Sequence, residues 1–423
     1  MRLVTLVLAL ATSLPSAALA EMRGHGGPVR ALAVAPSGET AVSGSFDSRA
    51  ILWDLSANAA AQVLRHHDGA VNAVAVLPDG RVATGGADGR IALWRPGLPE
   101  PERVEQAHDG PIASLAVSPD GATLASAAWD ATVRLTPLAG GEARALAGHA
   151  GNVNAVAFTP GGDLVSAGYD ATLRVWPQDG GAPRVTTLPT PLNALAVAPD
   201  GEIAAGGADG VVRLLSPDGA IRAEIETQPL PIIALALSPD GTRLAAATIR
   251  GSVAIIDREA RTVLFTLVGP GLPVWSAAYA PDGETLYTGG GDAVVRAWDA
   301  RTGEPIGPAV IGAAQDPLAA FAGSRGAEVF RACAACHTLS ADEGERAGPT
   351  LAGIFGRRIG TAEGYDYSPA LPELDIVWTP QTVSELFEVG PTLYTPGSKM
   401  PEQRILDAQD RQALVEFLAR ATE

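Results

Sequence analysis

VNAVAFTPGGDLVSAGYDATLRVW, residues 153–176, is the stretch whose reading decides the fold. It opens on the alternating apolar segment VNAVAFTP, turns at Pro160-Gly-Gly, runs through a second apolar segment, turns again at Asp170 and enters a third. Period-two alternation between glycine-bearing turns marks half-buried antiparallel strands joined as hairpins. The Pro-Asp-Gly-like turn recurs at Pro36, Pro78, Pro119, Pro160, Pro199, Pro239 and Pro281, at intervals of 39 to 42 residues. The chain from about 25 to 312 is therefore seven copies of one unit. A period near 40 residues is that of a four-stranded blade.

Positions inside the repeat sharpen this. The second turn carries Asp47, Asp88, Asp130, Asp170, Asp209 and Asp292, with Arg250 in the sixth copy. Six residues further on stand Trp53, Trp94, Trp176 and Trp298, replaced by Thr136, Leu215 and Ile256 in the others. Four residues before the turn position lies a hydroxyl in five copies: Ser43, Thr84, Ser126, Ser166 and Thr288. His25, His67, His108 and His149 precede the first strands of copies one to four. This pattern resembles the WD40 family. The resemblance implies a seven-bladed β-propeller over residues 21–312, in which His, Ser/Thr, Asp and Trp form a relay that locks the strands of a blade. Buried polar groups need such partners. Blades one to four keep most of the relay, and blades five and six have lost it. The histidines follow the repeat and do not converge, so they read as structural and not as metal, haem or triad residues. The repeats leave open how the ring closes.

A second signal stands outside the repeats. Cys333-Ala334-Ala335-Cys336-His337 is C-x-x-C-H, the attachment signature of a c-type haem. Two thiols add to the haem vinyl groups and the adjoining imidazole ligates the iron. A zinc knuckle or redox dithiol is the other reading, but a structural zinc site takes four ligands and these are the only two cysteines.

The run after this motif resembles the class I cytochrome c family, in its mitochondrial and c2-like branch. Gly348-Pro349-Thr350-Leu351, GIFGRR (Gly353 to Arg358), GYDYS (Gly364 to Ser368), Trp378 and TPGSKMP (Thr395 to Pro401) come in family order. The resemblance implies an all-α domain over 324–423, with Met400 as the second axial ligand of a single haem c. A lone methionine is otherwise core filler, although the only others here are Met1 and Met22. It further implies that the Pro349 carbonyl orients His337, and that Arg357, Tyr367, Trp378 and Ser398 hydrogen-bond the haem propionates. Gly326 and Phe330 match the first-helix contacts. A first helix is expected over Ser324 to Cys336, and a last one from Asp407, its cap, to about Arg420, with Leu414, Phe417 and Leu418 inward.

Two departures qualify the resemblance. Lys399 is the only lysine in the chain, and residues 324–423 hold nine basic against fifteen acidic residues, a net of −6. The lysine rim that docks acidic partners in mitochondrial relatives is thus missing. Phe387 stands where the family usually has a haem-facing tyrosine.

The remaining sequence sets the context. Residues 1–20 read as a cleaved signal peptide, with Arg2, an apolar run from Leu3 to Leu14 and an Ala18-Leu19-Ala20 cleavage site; an uncleaved anchor is the other reading. The first reading predicts a periplasmic protein. Residues 313–323, rich in Ala and Gly, read as a linker. A net charge of −17 speaks against nucleic acid and anionic membrane surfaces as partners. Taken together, an electron carrier is expected rather than a catalyst, its propeller a scaffold for redox protein partners. A redox enzyme with a second cofactor in the propeller, or a haem-based redox or gas sensor, are the alternatives.

Overall fold

Each of the first six repeats folds into one antiparallel four-stranded sheet, and the seventh supplies three strands of another, because polar turns punctuate apolar strands of four to seven residues. The computed structural model describes residues 21–269, 271–306, 318–321, 323–331, 333–335, 337–340, 348–363, 365, 367, 370–396, 398, 400, 404–405 and 407–422. The leader 1–20 and linker residues 313–317 and 322 lie outside these.

Among the described residues the first 28 strands form seven sheets. Blade one pairs Val29–Val34, Thr40–Ser45, Arg49–Asp54 and Ala59–Arg65 in sequence order. Blades two to six repeat that order. Blade seven pairs Val274–Tyr279, Thr285–Gly290 and Val294–Asp299, and its fourth strand is Glu21–Arg23 from the other end of the propeller. Ring closure therefore runs through a shared blade. Met22 is buried at this seam against Val295 and Trp53, and Arg296 pairs with Glu21 at 3.1 Å. Pairing the two ends removes the edges that an open ring would expose.

The relay has the form expected of it. In blade one, Trp53 Nε1 donates to Ser43 Oγ at 2.7 Å, Ser43 Oγ meets His25 Nε2 at 2.7 Å, and His25 Nδ1 meets Asp47 at 3.0 Å. Blades two and four repeat it through Thr84 and Ser166. In blade three the chain stops at Ser126, and the hydroxyl of Thr136, in the tryptophan position, is buried with no partner among the described residues. Blades five and six replace hydroxyl and tryptophan together, by Ala205 with Leu215 and Ala246 with Ile256. Donor and acceptor leave as a pair, so neither is orphaned.

Two features escaped the sequence reading. In blades five and seven the turn aspartate survives without histidine because an arginine four residues on replaces it. Arg213 bonds Asp209 at 2.7 Å and Arg296 bonds Asp292 at 2.5 Å. Each inner strand also begins with a β-bulge. Bulges re-aim a side chain, and here Asn72, Asn154 and Asn193 use theirs to donate to the inner strand of the next blade, at 3.1, 2.8 and 3.1 Å.

The relay supplies two predictions. Ser43→Ala leaves the Trp53 N–H and His25 Nε2 buried and unpaired, at about 1–3 kcal/mol for each group. Denaturant unfolding of Ser43→Ala, Trp53→Leu and the double variant should show the double variant costing less than the sum; strict additivity would deny the coupling. The second concerns pH. Burial holds His108 and His149 below the ordinary imidazole value. Asp47, Asp88, Asp130 and Asp170 are also held low: burial pushes them up, but the histidine partners and backbone amides together outweigh it. The unfolded chain then binds more protons than the folded one in both ranges. Stability should fall as pH drops below about 6.5, and fall again below about 4. Thermal midpoints between pH 8 and about pH 2 read this directly, and a flat profile would contradict it.

Beyond the propeller the described elements are helical. They are α1 (Arg325–Phe330), α2 (Pro380–Val389), α3 (Pro391–Tyr394) and α4 (Ala408–Ala421), with short 3₁₀ turns between. The fold is thus an all-β propeller followed by a small all-α domain, as expected. Asp407 caps α4 through the amides of Gln409 and Asp410, and Leu414, Phe417 and Leu418 are buried. α1 is shorter than expected. Ser324 caps it, but it ends at Phe330, and Cys333–Ala335 forms a 3₁₀ turn. The His337 amide bonds the Cys333 carbonyl at 2.9 Å, and its imidazole faces the Pro349 carbonyl. Helix α2 is additional to the two helices expected, although Thr379, Pro380 and Thr382 give it a capping box and a proline in its first turn.

Candidate functional site

The helical domain wraps a cavity with about 1140 Å³ of atom-free space, its open mouth included. The α1–α4 crossing forms the back. Phe417 meets Phe321 edge-on at 5.0 Å and Phe330 at 5.4 Å, and Phe330, Leu414 and Leu418 line the cavity from that side. Helix α2 contributes Val383, Leu386 and Phe387, and the loops supply the polar groups.

Of the residues singled out in the sequence, Cys333, His337, Pro349, Arg357, Tyr367, Trp378, Ser398 and Met400 all line this one cavity. Cys336 lies outside the described residues, as do Gly364, Ser368 and Lys399. Cys333 is buried in the 3₁₀ turn that follows α1.

His337 is the best defined of the group. Its Nδ1 lies 2.8 Å from the Pro349 carbonyl oxygen. A carbonyl only accepts, so Nδ1 carries the proton and Nε2 the lone pair, the tautomer a metal ligand requires. The ring rests on Gly348, where an added Cβ would fall 2.4 Å from Cε1 and 2.7 Å from Nδ1. Only glycine gives the ring that space.

Met400 lies across the domain's sequence on the loop after α3. Its amide donates to Ser398 Oγ at 3.0 Å, and the Ser398 amide donates to the Thr395 carbonyl at 3.0 Å. Ser398 thus shapes the loop that presents the thioether. Tyr394 ties the same segment to α2 by donating to Glu385 at 2.9 Å.

Arg357 donates to the carbonyls of Thr350 and Ala352 at 2.6 and 3.0 Å. No carboxylate among the described residues pairs with it. Burial pulls its pKa below that of an ordinary arginine, against the opposing Tyr367 hydroxyl. Burial likewise raises Tyr367, whose hydroxyl accepts the Ala362 amide at 3.3 Å. Trp378 pairs through its backbone with Gly356 and Arg357, which brings the indole to the same wall.

A desolvated cation without an anion is unfavourable, and a dianionic, largely apolar cofactor would satisfy both Arg357 and the apolar walls. An oriented imidazole, a thioether, a buried thiol and a guanidinium with no carboxylate partner among the described residues, set around one apolar cavity, fit haem. Among the described residues no three His, Cys, Asp or Glu converge to hold a metal ion.

The sequence reading did not single out the apolar lining residues Ile359, Leu371, Val383 and Leu386, and it missed one from the other domain. Phe46 comes from the propeller, in the second turn of blade one. Nothing in its local sequence marks it, since the contact depends on how the two domains meet.

Comparison with known proteins agrees with the geometry. The cytochrome c family model matches residues 323–422. The WD domain, G-beta repeat, matches 17–54, 59–95, 99–136, 140–177 and 261–299, which are the five blades that keep the hydroxyl before the turn. Cytochrome c of Cochliobolus lunatus is 41% identical over 100 residues, 23% of this chain and 92% of that protein. Cytochrome c of Arabidopsis thaliana is 41% identical over 100 residues, 88% of its length, and that of Stellaria longipes 40% identical over 92%. The match implies a covalently attached haem c and haem-based electron transfer. Through residues 323–422 the chain belongs to the cytochrome c family, and it carries that domain behind a seven-bladed propeller of WD repeats.

Proposed function

We propose that the protein is a periplasmic carrier of single electrons, with one haem c bound through thioether links to Cys333 and Cys336 and ligated axially by His337 and Met400. The carrying observation is the 2.8 Å bond that orients His337 in the cavity that Met400 also lines. When bound, the haem supplies a ferric/ferrous couple, and thioether ligation favours the reduced form. The chain's own residues do the rest. Pro349 fixes the imidazole, Ser398 shapes the methionine loop, Arg357 meets the cofactor's negative charge, and Phe387 and the leucines exclude water. Tyr367 and Trp378 join Arg357 as donors for the propionates.

The leader supports export, and export supports thioether attachment. The propeller serves as the scaffold for redox protein partners. In keeping with this, Trp129 and Tyr169, in the second turns of blades three and four, are 36% and 61% exposed. The test is a cofactor count on full-length protein purified from a periplasm. One low-spin haem per chain, no other chromophore and no carbon monoxide binding by the reduced native protein is the expected result. Met400→Ala should open the iron to carbon monoxide and lower the midpoint potential. A second chromophore, or an open iron in the native protein, would overturn the carrier reading in favour of an enzyme or a sensor.

A further inference from the structure

We propose that blade one of the propeller is part of the haem site: Phe46, backed by Trp275 and Arg30, closes one wall of the cytochrome cavity and shields the cofactor. This rests on the haem reading above and adds a residue from the other domain to it. Phe46 occupies the turn position just before Asp47. The equivalent residues Trp129, Tyr169 and Ile249 are 36%, 61% and 37% exposed, whereas Phe46 is half-buried and lines the cavity with His337 and Met400.

Its turn is firmly held. The Phe46 amide donates to the Pro28 carbonyl at 3.1 Å, and Asp47 accepts the amides of Gly26 and Arg49 at 2.8 and 2.9 Å besides facing His25. A side chain on so constrained a turn is a fixed wall and not a mobile flap.

The backing of Phe46 departs from the other blades. Its ring stands 6.1 Å from that of Trp275, and the Arg30 guanidinium carbon lies 5.2 Å from the Trp275 ring. Arg30 and Trp275 are the bulge residues of blades one and seven. Three other blades use that position for the asparagine that bonds the next blade. Here the position carries an indole whose N–H is buried without an acceptor, and a guanidinium with no carboxylate partner among the described residues. Burial pushes the Arg30 pKa down to about 10. Trp275 and Arg30 thus stand behind Phe46 as an aromatic and cationic layer, and a cation in that layer favours negative charge bound on the far side of the wall. The blade seven–blade one junction, which also holds the ring closed, is thus the part of the propeller turned to the cytochrome.

The experiment uses full-length holoprotein, first shown to hold one haem with native axial ligation. Without that the carrier reading itself fails, and the variants are not needed to show it. Phe46→Ala, Phe46→Leu and the control Tyr169→Ala are compared by midpoint potential and by the rate at which a small neutral reductant reduces the ferric protein. Phe46→Ala should admit water, lower the potential and speed reduction several-fold. Phe46→Leu, which keeps a smaller apolar wall, should move both in the same direction by a measurably smaller amount, and it carries the test should Phe46→Ala lose stability. Tyr169→Ala should match the parent. Phe46→Ala and Phe46→Leu indistinguishable from Tyr169→Ala in both readouts would overturn the proposal.

Discussion

Gly348→Ala should yield a protein that folds its propeller but fails to hold haem in its native ligation. The new Cβ would lie 2.4 Å from His337 Cε1, 2.7 Å from Nδ1 and 2.9 Å from Nε2, against the face of the ring. No rotation of a methyl group relieves such an overlap, so ring or backbone must move. Moving the backbone does not rescue the ligand, because the next residue, Pro349, supplies the carbonyl that holds Nδ1 at 2.8 Å. The variant thus loses either the ring's position or its orienting bond. Overpacking of this kind costs about 1–3 kcal/mol, and loss of an orienting partner about 10–100-fold in metal affinity. Haem per chain should drop steeply, and residual holoprotein should show a shifted potential and bind carbon monoxide. Gly353→Ala is the control: its added Cβ meets nothing within 4 Å, so it bears only the cost of a positive φ, about 1–2 kcal/mol. Full haem content and the parent's potential in Gly348→Ala would show that the glycine does not set the ring's place.

The contrast between those two glycines bears on what a sequence can reveal. Motifs that act through neighbours in the chain were legible. His337, Pro349 and Met400 keep fixed spacings from their own turns, so reading the order of motifs placed all of them at one cavity. The repeat was legible for the same reason, since Asp47 and Trp53 are six residues apart in every blade that keeps the relay. Contacts with no fixed spacing were not. The bulge that frees Asn72 to reach the next blade has no residue signature of its own. Glu21–Arg23 completes blade seven across some 270 residues of intervening chain. Phe46 reaches the cavity only once the two domains have met. The end of α1 at Phe330 was missed because Ala332, Ala334 and Ala335 are good helix formers.

The second large effect concerns the crossing on which the cavity is built. At Gly326 an added Cβ would lie 2.1 Å from the carbonyl oxygen of Ala413 and 2.5 Å from the Phe417 Cβ. Both belong to the α4 helix, so neither can swing aside as a flexible side chain could. Gly326→Ala must therefore push α1 and α4 apart. Separation breaks the stack of Phe321, Phe330 and Phe417 and withdraws Leu414 and Leu418 from the cavity wall. The cost should be about 3 kcal/mol, at the upper end for overpacking. For a domain of this size that is a fall of about 12–24 °C in melting midpoint. The helical domain and the blades have separate buried clusters, so calorimetry should resolve two transitions. Gly326→Ala should lower the one that carries the haem absorbance, while Ser43→Ala should lower the other. A shared haem site adds a further expectation. Because Phe46 lends the cytochrome one wall, melting the propeller first should shift the haem spectrum before the helices unfold. The two single variants thus separate two cores that the cofactor joins. Gly326→Ala with an unchanged haem-linked transition would mean that the helices do not cross as closely as their glycine permits.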